Sequence, residues 1–349
     1  MYSFLRPFVF NIDPEIAHDL AIKSLKLNLL PKSFFETKNE DLLEIDILGK
    51  KFPNPIGLAA GFDKSAEVYN SLLKFGFGFI EVGTITPRRQ LGNIKPRMFR
   101  LEQDQALINR LGFNNDGLEI VKKRIKKNRP KGILGINIGP NKDTKNKIED
   151  YIICLKELHE QSDYLTINIS SPNTENLRDF HEEHLFSSLL EDLTSAKKKL
   201  NIRKPIFIKI SPDIKDSDTD KICELIIKYQ IEGIIISNST DKNREKLIDK
   251  NNNKERGGLS GKPLKNISTQ LIKKFNKKLK GKTIIIGVGG IDSGQDVFDK
   301  IISGASLVQL YTGMVYKGPG IVRDIKNELI QILKREKVKK LEELIGTNS

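Results

Sequence analysis

Amide, glycine and lysine residues gather in this sequence around the ends of short apolar runs. Asn109, Asn137, Asn168, Asn173 and Asn238 supply paired donors and acceptors, which suit a flat heterocycle edged with N–H and C=O groups. Lys64 offers the cation a carboxylate would seek. Gly287-Val-Gly-Gly290 and Tyr311-Thr-Gly313 let backbone N–H groups approach an anion, so a phosphate-bearing cofactor is implied. The histidines are His18, His159, His181 and His184, and none follows an apolar run. His181-x-x-His184 has no clustered third ligand, so no metal site is expected, and no Ser-His-Asp arrangement presents itself. With so few acid/base groups, the cofactor is expected to carry the difficult step.

Eight β-rich runs must position these groups: residues 55–58, 79–83, 133–138, 164–169, 206–210, 233–237, 283–288 and 307–311. They are nearly continuous in apolar residues, as strands of a parallel sheet buried on both faces must be. Helical patterns follow them at 66–74, 118–127, 148–161, 184–200, 218–229, 266–279, 295–303 and 321–334. Eight βα units over about 255 residues predict a closed (β/α)8 TIM barrel, an α/β fold. A doubly wound sheet is the runner-up, and the missing Gly-x-Gly-x-x-Gly after the first strand counts against it. Polar or glycine-rich residues follow every strand at the end where barrels of this kind carry their sites: Ala59-Ala60-Gly61-Phe62-Asp63-Lys64, Thr84, Asn137, Asn168, Lys209, Ser237-Asn238-Ser239, Gly289-Gly290 and Tyr311-Thr312.

The chain has 349 residues, 38% hydrophobic with 26 glycines, which excludes disorder and collagen-like repeats. Its charge of +14 concentrates at residues 121–150 (+7) and 261–282 (+8), both read as solvated outer faces of helices. Nucleic acid therefore gains no support. Cys154 and Cys223 lie inside apolar helical runs, so no disulfide framework is expected, and no apolar stretch approaches a membrane span. Residues 1–40 are expected to form a small helical segment apart from the barrel of 41–349, with Asp13 capping a helix that starts at Pro14. In that helix Glu15, Asp19, Lys23 and Lys26 share an arc of about 80°, and apolar residues occupy most of the rest. The segment packs beneath the barrel, anchors on a membrane surface or walls an apolar ligand tunnel. Five basic residues balance five acidic ones there, so membrane attachment would be mainly hydrophobic.

Five motifs in order carry a resemblance to a known family: Leu58-Ala-Ala-Gly-Phe-Asp-Lys64, Ile108-Asn-Arg-Leu-Gly-Phe-Asn114, Asn168-Ile-Ser-Ser-Pro-Asn-Thr174, Gly257-Gly-Leu-Ser-Gly261 and Ile286-Gly-Val-Gly-Gly-Ile291. Residues 1 to about 335 resemble the class 2, quinone-dependent branch of the dihydroorotate dehydrogenases. The resemblance implies a barrel holding FMN, oxidation of dihydroorotate to orotate in pyrimidine biosynthesis, and ubiquinone or menaquinone as electron acceptor. It also implies a peripheral protein on the cytoplasmic face of the bacterial inner membrane, reached through the N-terminal helices, with no obligate protein partner.

Carried over by position, FMN would meet Ala59, Ala60, Gly61, Thr84, Asn137, Asn168, Lys209, Ser237, Gly261, Gly290, Tyr311 and Thr312. Lys209 would stabilise negative charge on the reduced ring. Substrate would meet Lys64, the stretch Asn109, Arg110, Leu111, Gly112 and Phe113, then Asn168, Asn173, Asn238 and Ser239. Ser171 matches the base, supported by Lys64, Thr174 and Phe113, and His18, Arg100 and Tyr311 match the quinone side. A serine at the base position, where class 1 relatives have cysteine, and the apolar N-terminus both select class 2. Threonines stand in many relatives where this chain has Ser237 and Ser239; the hydroxyls survive. Two alternatives remain: an FMN-dependent tRNA dihydrouridine synthase, which needs a loop cysteine, and a non-catalytic membrane-associated binding module.

Overall fold

A computed structural model describes residues 2–31, 35, 37 and 40–348. In chain order these form α1 (Tyr2–Phe10), α2 (Pro14–Lys26), β1 (Ile45–Ile47), β2 (Lys50–Phe52), β3 (Ile56–Leu58), α3 (Tyr69–Leu73), β4 (Phe79–Ile85), β5 (Met98–Leu101) and β6 (Ala106–Asn109). Next come α4 (Leu118–Lys127), β7 (Ile133–Ile138), α5 (Lys147–Leu158), β8 (Tyr164–Asn168), α6 (Glu183–Lys199), β9 (Ile206–Ile210), α7 (Asp216–Lys228), β10 (Gly233–Ile236) and β11 (Gly258–Gly261). The chain closes with α8 (Lys265–Leu279), β12 (Ile284–Val288), α9 (Gly294–Ile302), β13 (Leu307–Leu310), α10 (Thr312–Lys317) and α11 (Ile321–Arg335).

Strands β3, β4, β7, β8, β9, β10, β12 and β13 pair in parallel and close into a barrel, the predicted eight in the predicted order. Size alternation fills its floor. The rings of Phe79, Tyr164 and Phe207 lie where a Cβ on Gly57, Gly135 or Gly233 would come within 2.3, 2.1 or 2.0 Å of them. Each large side chain thus needs a glycine on the neighbouring strand, the packing a closed core enforces. The β1–β2 hairpin adds Phe52, edge-on to Phe79 at 5.5 Å.

Five short strands were not predicted: β1 and β2 of the hairpin, and β5, β6 and β11, the last three of which form an antiparallel sheet in the order β11-β6-β5. These three lie within what the sequence presents as site loops, and four-residue runs such as Gly258–Gly261 carry too little alternation to announce a strand. The sheet sets Gly258 opposite Asn109 and Gly261 opposite Ala106, although the two strands are far apart in the chain.

Asp13 caps α2 as expected, its Oδ1 accepting from the N–H groups of Glu15 and Ile16. One part of the helix reading is corrected. Glu15 is buried rather than part of a solvated polar arc, because Arg97 of the barrel grips it through Nε (3.0 Å) and Nη2 (2.6 Å). Other apolar side chains of α1 and α2 stay bare: Phe4 is 78% exposed, Phe8 74% and Ile16 53%. No helix among the described residues is long and apolar enough to cross a membrane. Several cations in the basic stretches pair with acids on neighbouring elements, among them Lys122 with Glu157, Lys265 with Asp296 and Lys274 with Asp216.

Candidate active site

The strand ends and the β5–β6–β11 sheet enclose a cavity that is open at its mouth. Ala59, Ala60, Gly61, Lys64, Thr84, Asn109, Leu111, Gly112, Phe113, Asn168, Ser171 and Asn173 line it, as do Lys209, Ser237, Asn238, Ser239, Gly261, Gly290, Tyr311 and Thr312. The sequence reading missed Gln105, Lys262, Gln309 and Tyr316, which also line it. Gln309 had a usable signal, an amide near the end of an apolar strand; the others lacked one.

Some expected residues stand elsewhere. Asn137 is fully buried behind Thr84 and Asn168 and does not line the cavity. Arg110 turns outward, its guanidinium held by Glu255 (2.6 Å) and Pro96 O (2.9 Å) and stacked over Phe99. Substrate contact through that side chain is corrected accordingly, because its charge is already satisfied at the rim. Thr174 is buried outside the lining.

An ordered polar chain runs under the floor. Glu81, buried inside the barrel, accepts from Asn137 Nδ2 (2.8 Å), Tyr164 OH (2.9 Å) and Gln309 Nε2 (2.9 Å). Asn137 Oδ1 is thereby left to accept from Thr84 Oγ1 (2.6 Å) and Asn168 Nδ2 (3.1 Å). Asn168 Oδ1 then accepts from Ser170 Oγ (2.7 Å), and Ser170 Oγ accepts from Asn238 Nδ2 (2.8 Å). A carboxylate that receives several donors fixes the direction of every amide downstream.

Besides the exposed Lys262, two lysines face the cavity. The Lys209 ammonium has no hydrogen-bond or ion-pair partner among the described residues; burial pushes it below the usual lysine range, opposed by the charge of Glu81. Burial also lowers Lys64 to about 8, against the pull of Glu15 and Asp19. Lys64 Nζ lies 3.3 Å from His18 Nε2, a contact between α2 and the cavity that the sequence did not reveal. Burial and the neighbouring ammonium hold His18 well below its ordinary value, so its neutral ring accepts from Lys64. From His18 an edge-to-face series leads to Phe62 (4.9 Å) and on to Tyr311 (5.9 Å) in the cavity wall. Arg100 supports the α1–α2 junction, donating to Phe10 O (3.1 Å) and Ile12 O (2.7 Å).

The lining fits a phosphate-bearing flavin. A bare buried lysine and an unpartnered Gln309 Oε1 look for a polar ring edge. A Cβ on Gly61 would meet nothing but Tyr311 Cε2 at 3.8 Å, so its missing side chain leaves cavity space. Gly290 at φ +69 lets its loop press on the N-terminus of α8, where a Cβ would come within 2.5 Å of Lys265 Cα. Cys154 and Cys223 are buried in α5 and α7 and do not line the cavity. His181 commits both ring nitrogens, Nδ1 to Arg178 O and Nε2 to Ser211 N–H.

These features fit a barrel enzyme that holds a heterocyclic cofactor at its strand ends. Residues 42–333 match the family model for dihydroorotate dehydrogenase. The chain belongs to the dihydroorotate dehydrogenase family, a flavin-dependent group of oxidoreductases. It is 44% identical over 337 residues to the dihydroorotate dehydrogenase (quinone) of Bartonella tribocorum, covering 95% of this chain and 92% of that protein. The protein of the same name from Idiomarina loihiensis is 44% identical over 336 residues, covering 94% of this chain and all of its own length (100%). The crystal structure of the Eimeria tenella enzyme in complex with ferulenol superposes with a TM-score of 0.92 at 38% identity, covering 96% of each chain.

Proposed function

We propose that this chain oxidises (S)-dihydroorotate to orotate for pyrimidine (UMP) biosynthesis, with FMN in the barrel mouth and a membrane quinone, ubiquinone or menaquinone, as final acceptor. The observation that carries the reading is the convergence of Ser171, Lys64 and Lys209 on one cavity. When bound, FMN supplies the two-electron acceptor for the hydride that leaves C6.

Ser171 Oγ receives the C5 proton as its own hydroxyl proton passes to water along the route beside Thr174, while the C5=C6 double bond of orotate forms. Its Oγ accepts a hydrogen bond from Asn173 N–H at 3.2 Å, which stabilises negative charge developing there. Lys64 holds the substrate carboxylate, and the amides of Asn109, Asn173 and Asn238 meet the N–H and C=O edges of its ring. Leu111, Gly112 and Phe113 cover the same side, and Ser239 adds a hydroxyl. Lys209, with Ser237 and Thr84, meets the polar ring edge of the cofactor. Gly261, Gly290 and Thr312 receive the phosphate, and Ala59, Ala60 and Gly61 leave room for the ring. Asn137 and Asn168 hold that wall from behind, and Thr174 shapes the proton route from outside the lining.

The bare apolar surface of α1 and α2 supports attachment to a membrane, as a peripheral protein on the cytoplasmic face of the bacterial inner membrane. His18, Phe62 and Tyr311 then line the way from that surface to the ring, with Arg100 beside the α1–α2 junction.

The purified protein is expected to show flavin absorbance in the visible, to release FMN on denaturation and to bleach anaerobically with dihydroorotate. A colourless protein that binds no added FMN, or a flavoprotein that dihydroorotate leaves oxidised, would overturn the reading. A pH effect follows from Lys64. Its ammonium is lost as pH rises through about 8, so kcat/KM for the anionic substrate should fall above that value, by roughly tenfold per unit. Lys64→Met should abolish that limb, and a limb that persists in the variant would move the titration to another group.

A further inference from the structure

Substrate must be gripped from separate loops: Ser171 and Asn173 follow β8, whereas Asn238 and Ser239 follow β10. Neither strand end sets the gap between those loops to the precision a proton transfer needs. Asn238 Nδ2 crosses it to the Ser170 hydroxyl at 2.8 Å, and one guanidinium crosses it to the backbone of both loops. Arg178, on the short turn after the Ser171 loop, donates from Nε to Ser170 O at 3.1 Å and from Nη2 to Ser239 O at 2.9 Å. The first carbonyl belongs to the peptide bond that leads into Ser171; the second belongs to a residue of the cavity wall.

The rest of the guanidinium is anchored to a third loop. Nη1 pairs with Asp213 Oδ2 at 2.9 Å and with Asp241 at 3.1 Å. Asp213, only 7% exposed, also takes the hydroxyl of Thr240 and the N–H of Asp241 (3.1 Å), which ties the loop after β9 to the loop after β10. The turn itself is pinned through His181, whose ring bridges Arg178 O (2.8 Å) and Ser211 N–H (3.1 Å). The donors of this guanidinium are therefore committed to fixed acceptors on three loops.

We propose that Arg178 is a positioning residue for the oxidation step, a rigid spacer that sets the distance between Ser171 and the Asn238–Ser239 wall. The inference rests on the assignment of those residues to the substrate. A planar fork with donors in fixed directions can hold two carbonyls at a set separation, and a lysine ammonium on a flexible stem cannot. Arg178 touches no reacting atom, so its loss acts through geometry, where a displacement of about 1 Å costs about 100-fold in rate.

The test compares Arg178→Ala, Arg178→Lys and Ser171→Ala by anaerobic stopped-flow reduction of the holoenzyme, with Tm, flavin content and orotate affinity from the spectral shift. Arg178→Ala should lose about 100-fold in the maximal reduction rate while retaining its flavin. Guanidinium or methylguanidinium at tens of millimolar should restore at least about tenfold of that loss, because the fork refits the vacated site. Arg178→Lys should stay slow. Wild-type rates in Arg178→Lys, or a slow Arg178→Ala that guanidinium leaves unchanged, would overturn the proposal. A slow Ser171→Ala beside a fast Arg178→Ala would sink this inference alone, whereas a fast Ser171→Ala would sink the reading on which it rests.

Discussion

Ser171→Ala is expected to slow the bleaching of bound flavin by dihydroorotate by about 10²- to 10⁴-fold, the range a positioned proton acceptor contributes. The upper part of that range is the better expectation, because the cavity offers no substitute. Among the described residues that line it there is no histidine, and the one carboxylate, Asp292, is tied to Lys317 at 3.1 Å. Lys64, lowered to about 8, is mostly a cation at neutral pH, and amides do not accept a proton. The flavin should stay bound, since the cofactor-facing groups are untouched. Removal of one hydroxyl also leaves Asn173 N–H without its acceptor, at a cost of about 1–3 kcal/mol where it is buried. A modest fall in Tm should therefore accompany the rate loss. Anaerobic single-turnover reduction separates the two effects, and a rate within about threefold of the parent would dismiss Ser171 as the proton acceptor.

Deleting residues 2–38 should have the second large effect, and a selective one. Quinone-coupled turnover should fall below about 1% of the full chain, because the apolar route past His18 and Phe62 to Tyr311 goes with α1 and α2. Flavin reduction by dihydroorotate should survive, since Ser171, Lys209 and the amides all belong to the barrel. It should not be untouched: Lys64 loses His18 and the nearby charges of Glu15 and Asp19, so the KM for dihydroorotate should rise. Arg97 sharpens the comparison. Glu15→Gln in the full chain leaves a buried guanidinium short of its countercharge, a change that costs about 3–5 kcal/mol. Truncation instead returns Arg97 to water, where that penalty vanishes. Parallel assays with dihydroorotate alone and with a short-chain quinone in detergent decide the matter; unchanged quinone turnover would refute the tunnel.

Much of this molecule was readable before any coordinates. Parallel strands covered on both faces need continuous apolar side chains, so runs such as Ile206–Ile210 stood out, and the polar residues after them marked the open end of the barrel. Asp13 and Pro14 announced α2 because a cap is a local device, satisfied within three residues. The short strands of the β5–β6–β11 sheet stayed hidden, since Gly258–Gly261 becomes a strand by pairing with Asn109 and its neighbours, residues far away in the chain. Arg110 looked like a ligand by its place in a motif, yet Glu255 and Pro96 drew it outward.

The order of residues by itself determined the barrel, the end that carries the site and the groups that line it, because these follow from periodicity and from chemistry within a few residues. Tertiary structure decided which of those groups are free to act. Asn137 is consumed by Glu81 and its neighbours, Lys209 is left bare, Lys64 meets His18 across 46 positions of sequence, and Arg178 joins three loops. Burial raises the cost of an unpaired polar group, so each one takes whichever partner the fold brings near, and only the closed barrel sets those distances.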